Sequence, residues 1–233
     1  MELTRGAMYN VGFGLPDGIP QVALEEGIFD AVTCSIEQGG IGGFPALGGE
    51  FGAMHYAQAF VQHHEQFDFY HGGGLDMAFL GLAEVDREGN VNVSRFGGHA
   101  PGCGGFIDIT QSAKRLYFCG AFTGGGTIDV ADGGLSIRKE GRFRKFVDRV
   151  AQVTFSGPYS LRQGIRVCYL TERAVFTLTP EGLQLTEVAP GIDMERDVLG
   201  MMGFRPLVAE NLREMPRKLF MEGLMGLREQ MGV

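Results

Sequence analysis

Cysteine is scarce in this sequence and is never paired. Cys34, Cys103, Cys119 and Cys168 stand far apart and form no C-x-x-C unit, which excludes the spacing signatures of a zinc site or a disulfide framework. Buried, reduced thiols of a cytoplasmic protein are the expectation instead. No run approaches the ~18 consecutive apolar residues of a membrane-crossing helix. Met1-Glu2-Leu3-Thr4-Arg5 lacks the basic and apolar regions of a secretion signal, so a soluble, cytosolic protein is expected. Clustered cations are missing too. A formal net charge of −8 and a pI near 5.2 argue against a nucleic-acid or anionic-membrane surface. Basic residues concentrate in Arg138, Lys139, Arg142, Arg144, Lys145 and Arg149, but acids interrupt them. That stretch reads as a solvated face, with proximity to a substrate phosphate as the other reading.

Nucleophile motifs are equally absent. No G-x-S-x-G serine elbow occurs and no cysteine has an evident histidine partner, so any catalysis falls to a carboxylate. His55, His63, His64 and His71 cluster in sequence, yet His63 and His64 are adjacent and point apart on a helix, so metal-ligand spacing is lacking. They read as histidines of a surface helix.

Glycine, by contrast, is abundant. There are 38 glycines in 233 residues, more than twice the ~7% average usage, with no collagen-like period and with 44% hydrophobic residues. These glycines belong to the tight turns and ligand loops of a folded protein. A chain of this length can bury its core as one α/β domain or at most two small ones.

The order of elements alternates. Ala7 to Val11 reads as a strand ending in Gly12-Phe13-Gly14, followed by a helix from Asp17 to Gly27. Ala31-Val32-Thr33-Cys34-Ser35-Ile36 reads as a short buried strand that ends at Glu37. His55 to Phe69 has helical character, and Leu75 to Val85 reads as a central strand apolar on both faces. A turn at Asp86 to Asn90, a strand at Val91 to Ser94, a second glycine loop at Gly97 to Gly105, a helix over 106–113 and a strand from Leu116 to Ala121 continue the alternation. Segments 134–138, 150–155, 166–179 and 183–188 read as mostly β, and helices near 193–202 and 208–230 as closing the chain. Leu212, Met215, Leu219, Phe220, Leu224, Leu227 and Met231 would give the last helix a broad apolar face, for a partner or for the core. Residues 124–134 are the one linker-like interval.

The chemistry concentrates at Glu37. An apolar strand delivers this carboxylate into Gln38-Gly39-Gly40-Ile41-Gly42-Gly43, at the end of a sheet where ligands of open α/β folds bind. Glycines there let a ligand approach the backbone and leave amides free to face it. A strand-end surface residue followed by a wide glycine turn is the alternative on local pattern alone. Gly12-x-Gly14 follows a strand and opens a helix, but Asp17 occupies the third glycine position of a dinucleotide fingerprint and would repel a pyrophosphate. Asp76 and Asp108 are rival acids, read as a loop brace or cap and as a helix residue.

Three ordered segments carry a resemblance: Asn10-Val11-Gly12-Phe13-Gly14-Leu15-Pro16, Ser35-Ile36-Glu37-Gln38-Gly39-Gly40-Ile41-Gly42-Gly43 and Gly102-Cys103-Gly104-Gly105-Phe106-Ile107-Asp108. Together they resemble the carboxyl-terminal (β) half of the family I coenzyme A transferases, the acetate or propionate branch above all, with relatives that act on 3-oxoacids. Phe67 to Asp76, Gly89 to Ser94 and Thr171 to Phe176 extend the likeness over nearly the whole chain.

The resemblance implies an α/β fold with an open, mostly parallel sheet flanked by helices, shared with sugar-phosphate isomerases, as one β-type domain over residues 1–233. It implies that Glu37 attacks an acyl-CoA thioester and becomes a glutamyl-CoA thioester, with the Gly105 amide as an oxyanion donor worth about 3 kcal/mol. Gly104 would let the chain turn toward Glu37, and Gly12 and Gly14 would line the acyl and pantetheine side. Coenzyme A and a carboxylate are then substrates, and no cofactor or metal is implied. Family members carry an amino-terminal half of which nothing is present here, so the chain is expected to be a fragment or a subunit that works in a homo- or hetero-oligomer. An isomerase remains an alternative, though no lysine or arginine adjoins the glycine loops, as does a non-catalytic scaffold.

Overall fold

Met8-Tyr9-Asn10-Val11 and Thr33-Cys34-Ser35 are short runs rich in β-branched and aromatic residues, bounded by glycine or polar turns, and both form strands. In the computed structural model, which describes residues 2–233, they are β1 (Met8–Val11) and β2 (Thr33–Ser35). They pair in parallel, with Asn10 opposite Ser35. On its other side β1 pairs in parallel with Met77–Gly81, whose first four residues are all buried. A strand covered on both faces has this continuous apolar character. Beyond β2 the sheet continues through antiparallel additions, β3 (Gly40–Ile41) and then Ala59–Phe60. The carboxyl ends of β1 and β2 therefore lie side by side, which sets Gly12 and Glu37 on one edge.

These strands belong to the first of two compact units, made of residues 1–81, 104–117 and 224–233. It also contains helices α1 (Ile19–Glu25), α2 (His63–Phe69) and α3 (Phe106–Ser112). Helix α2 starts in a capping box, in which Gln62 and Glu65 each satisfy the other's backbone N–H. Helix α3 packs on the strand Met77–Gly81. Glu26 accepts the N–H groups of Met225 and Leu227, so a carboxylate at the end of α1 anchors the last segment of the chain.

The second unit, residues 82–103 and 118–223, is mostly β. Arg166–Leu170, Ala174–Thr179 and Gly182–Val188 form an antiparallel meander, and Leu207–Glu214 joins it parallel to Gly182–Val188. Its interior holds Phe122, Phe146 and Phe176 in mutual ring contact. Arg173, 2% exposed, is paired with Glu140 and Glu172 at 2.8 Å each and lies 5.0 Å above the Phe122 ring.

The structure corrects several expected elements. Only His63–Phe69 of the stretch 55–69 is helical, because Met54–His55 and Ala59–Phe60 are taken up as edge strands by backbone partners. The apolar run 75–85 is broken at Gly81, and Glu84–Val85 forms a separate hairpin with Val91–Asn92. Residues 150–155 supply only an isolated bridge from Phe155 to Val91. The linker-like interval is a hairpin of Thr127–Ala131 with Gly134–Lys139. The long closing helix does not exist: 207–214 is a strand, Arg217–Phe220 a single tight turn, and only Leu227–Met231 is α-helical. Pro216 cannot continue a helix, since it lacks the N–H and clashes with the preceding turn. An open backbone edge on Gly182–Val188 then captures the segment before it.

Candidate active site

Glu37 sits in a tight turn between β2 and β3. The Gly39 N–H donates to the Ile36 carbonyl at 3.0 Å and the Ile36 N–H to the Gly40 carbonyl at 3.1 Å, so Glu37 is the first central residue of a β-turn. The glycines that follow are not open backbone, as the sequence suggested. Gly39 has φ +104°, and a Cβ there would run into the Val61 carbonyl; one on Gly43 would lie 2.5 Å from the His55 carbonyl. The run is glycine-rich because the segment 54–61 packs onto it, leaving the Glu37 side chain, half-buried, as the group presented by the turn.

Gly105 faces that side chain. It is the residue before the first turn of α3 and has an ordinary φ of −78°, but a Cβ on it would collide with Glu37 Oε2 and lie 2.7 Å from Phe67 Cζ. The backbone of residue 105 thus lies against the carboxylate with no space for any side chain. Burial pushes the Glu37 carboxyl above its ordinary range. His63 opposes that shift, Asp108 adds to it, and the Gly105 N–H favours the ionised form. His63 and Phe67 are four residues apart on α2 with ring centroids 5.1 Å apart, so one helix face serves both. Asp108 is also 3.0 Å from His71 Nε2.

Of the other expected site residues, Gly104 adjoins Gly105 in the left-handed region at φ +51°, where it turns the chain into α3. Gly12 follows β1 as Glu37 follows β2, two residues beyond the Asn10 and Ser35 pair. Its N–H is engaged by the Phe79 carbonyl at 2.8 Å, so this amide is not free to face a ligand; what glycine supplies is closeness to Leu80. Gly14, at φ +98° and with nothing near its Cβ position, is an open turn. Asp76 braces the sheet, accepting from the Met8 N–H at 3.0 Å and from Lys114 at 2.7 Å. Among the described residues no cluster of three or more His, Cys, Asp or Glu side chains is arranged to hold a metal ion. The histidine spacing did not point to His63; only the i, i+4 pairing with Phe67 on α2 carried that signal.

The chain is 47% identical over 226 residues to acetate CoA-transferase YdiF of Escherichia coli O157:H7, a match that spans 97% of this chain and 43% of that protein. A crystal structure of that acyl-CoA transferase, a thioester complex with CoA, matches with a TM-score of 0.91 at 45% identity, over 97% of this chain and 43% of the other. This chain belongs to the coenzyme A transferase family. Within the family it is also 43% identical over 237 residues to caffeate CoA-transferase of Acetobacterium woodii, covering 100% of this chain and 45% of that one. One subunit of the 3-oxoadipate CoA-transferase of Pseudomonas knackmussii is 28% identical over 252 residues, covering 97% of this chain and 88% of that subunit. No protein-family model matches the chain. This CoA-transferase chain spans less than half the length of its YdiF and caffeate relatives and most of the length of the 3-oxoadipate subunit.

Proposed function

We propose that this chain carries the nucleophilic half of an enzyme that moves coenzyme A between an acyl-CoA and a carboxylic acid, with Glu37 as the nucleophile. The contact between the Glu37 carboxylate and the Gly105 backbone carries the reading. An ionised Glu37 attacks the thioester carbonyl, and the CoA thiolate leaves as a glutamyl-acyl anhydride forms. The thiolate then attacks the glutamyl carbonyl of the anhydride and releases the first carboxylate, which leaves a glutamyl-CoA thioester. An incoming carboxylate reverses the two steps and departs as the new acyl-CoA. Each addition creates a tetrahedral oxyanion, and an N–H fixed at Gly105 stabilises it by about 3 kcal/mol, since it needs no reorganisation. Partial removal of water, which raises the Glu37 pKa, also makes the carboxylate a stronger nucleophile.

Coenzyme A enters as a substrate rather than as a resident cofactor. The relatives suggest short-chain or phenylpropenoid carboxylates as acyl groups, since two of them are an acetate and a caffeate CoA-transferase. They also suggest a second half, supplied in the same polypeptide or as an α subunit, because two are more than twice as long and a third is one subunit of its enzyme. No helix among the described residues is long and apolar enough to cross a membrane. A cytoplasmic location is suggested by the metabolic chemistry of the relatives, which act on acyl-CoA substrates.

Incubating the protein, with and without that half, with acetyl-CoA and then digesting it tests the reading. A CoA adduct on the peptide containing Glu37, absent from Glu37→Gln, is the expected result. Transfer without an adduct on Glu37 would overturn it.

A further inference from the structure

A directed chain of buried hydrogen bonds runs beneath the Glu37 turn. Tyr70, the C-cap residue immediately after α2, is fully buried. Its hydroxyl is 3.1 Å from Asn10 Nδ2 and 3.0 Å from Ser35 Oγ. Ser35 Oγ donates its single hydrogen to the Tyr9 carbonyl at 3.1 Å, so toward Tyr70 it can only accept. The direction of every bond follows: Asn10 donates to Tyr70, Tyr70 to Ser35, and Ser35 to the Tyr9 carbonyl. Asn10 Nδ2 also donates to the Ser35 carbonyl at 3.3 Å.

The attachment points matter. Ser35 lies two residues before Glu37 and Asn10 two residues before Gly12, and the two are register partners across β1 and β2. The helix that Tyr70 caps carries Phe67 against Gly105 and His63 toward Glu37. One hydroxyl therefore ties the strand that delivers the carboxylate, the strand that delivers Gly12, and the helix that backs the carboxylate. In a core tyrosine one backbone carbonyl would suffice; here both partners are side chains at the ends of adjacent strands. Burial raises the phenol above its ordinary pKa, so the hydroxyl keeps its proton and stays a donor.

We infer that Tyr70 is a positioning residue for the Glu37 site, acting through Ser35 and Asn10 to hold the carboxylate in line with Gly105. The inference rests on the function proposed above. A misplacement of about 1 Å at a reacting group can cost about 100-fold in rate.

The test is Tyr70→Phe in the complete active enzyme, with Ser35→Ala as a second cut in the same chain and Ile28→Val as a control that loosens the core of the same unit elsewhere. The expected result is a kcat at least tenfold lower for Tyr70→Phe and Ser35→Ala, with KM for acyl-CoA within twofold and with melting temperatures no lower than that of Ile28→Val, whose kcat stays near wild type. If Tyr70→Phe does not fold, Ser35→Ala alone decides. A kcat within twofold of wild type in the folded variants, or a fall matched by Ile28→Val, overturns the inference. Failure of the functional reading looks different: transfer would then survive Glu37→Gln whatever Tyr70 does.

Discussion

Gly105 lies so close to Glu37 that a single methyl group at residue 105 would overlap Oε2 and stand 3.0 Å from Cδ. Because φ at Gly105 is ordinary, Gly105→Ala meets no backbone strain and acts through collisions with the Glu37 carboxylate and with the Phe67 ring edge behind it. It should leave the fold intact and lower kcat/KM by about 100-fold, the scale of a 1 Å misplacement. Gly104→Ala should do the opposite: nothing lies within 4 Å of its Cβ position, but φ is +51°, so it costs about 1 kcal/mol of stability with little effect on the carboxylate. Thermal melts and steady-state kinetics of the two variants separate the effects.

If Glu37 is the nucleophile proposed above, Glu37→Gln should reduce transfer about 10⁴-fold or more. It should also stabilise the protein. A carboxyl whose folded pKa is raised binds more protons folded than unfolded between the two values, so stability falls as pH rises through that window. The glutamine variant escapes this loss. Its melting temperature should exceed that of wild type at pH 8, and the advantage should vanish below the ordinary carboxyl value of 4.5.

The acid limb of the pH profile should respond to two neighbours in opposite directions. His63 lowers the Glu37 pKa and Asp108 raises it. His63→Gln should therefore shift the acid limb of kcat/KM to higher pH, and Asp108→Asn to lower pH. Acid limbs unchanged from wild type in both variants would show that neither group reaches the carboxylate.

In the second unit, Arg173→Met should destabilise by about 3 kcal/mol, because Glu140 and Glu172 lose a buried counter-charge. Denaturant unfolding followed through the tyrosine signal of that unit measures it, and a loss below about 1 kcal/mol would mean the carboxylates find water instead.

Much of this was legible along the chain. The strands at 8–11 and 33–35, a strand inside the longer apolar run 75–85 and the helix after Gly105 were readable because short buried strands and the turns between elements have local signatures in β-branching, turn residues and glycine. The strand Leu207–Glu214 was not, because its leucine and methionine spacing fits a helix and only the open edge of Gly182–Val188 makes it a strand. Apolar spacing records which residues can be covered, not which neighbour covers them.

The sequence by itself determined that a carboxylate would follow a buried strand, that glycine would surround it, and which family such an order of motifs belongs to, since these depend on residues adjacent in the chain. Only the tertiary structure decided which glycines matter and why. Gly39 and Gly43 accommodate the 54–61 segment, Gly105 accommodates the carboxylate, and His63, Phe67 and Tyr70 converge on the site from a helix that the sequence marked as ordinary surface. Close approach between residues 68 positions apart, such as Glu37 and Gly105, is fixed by the packing of strands and helices in space, and no local pattern in the chain encodes it.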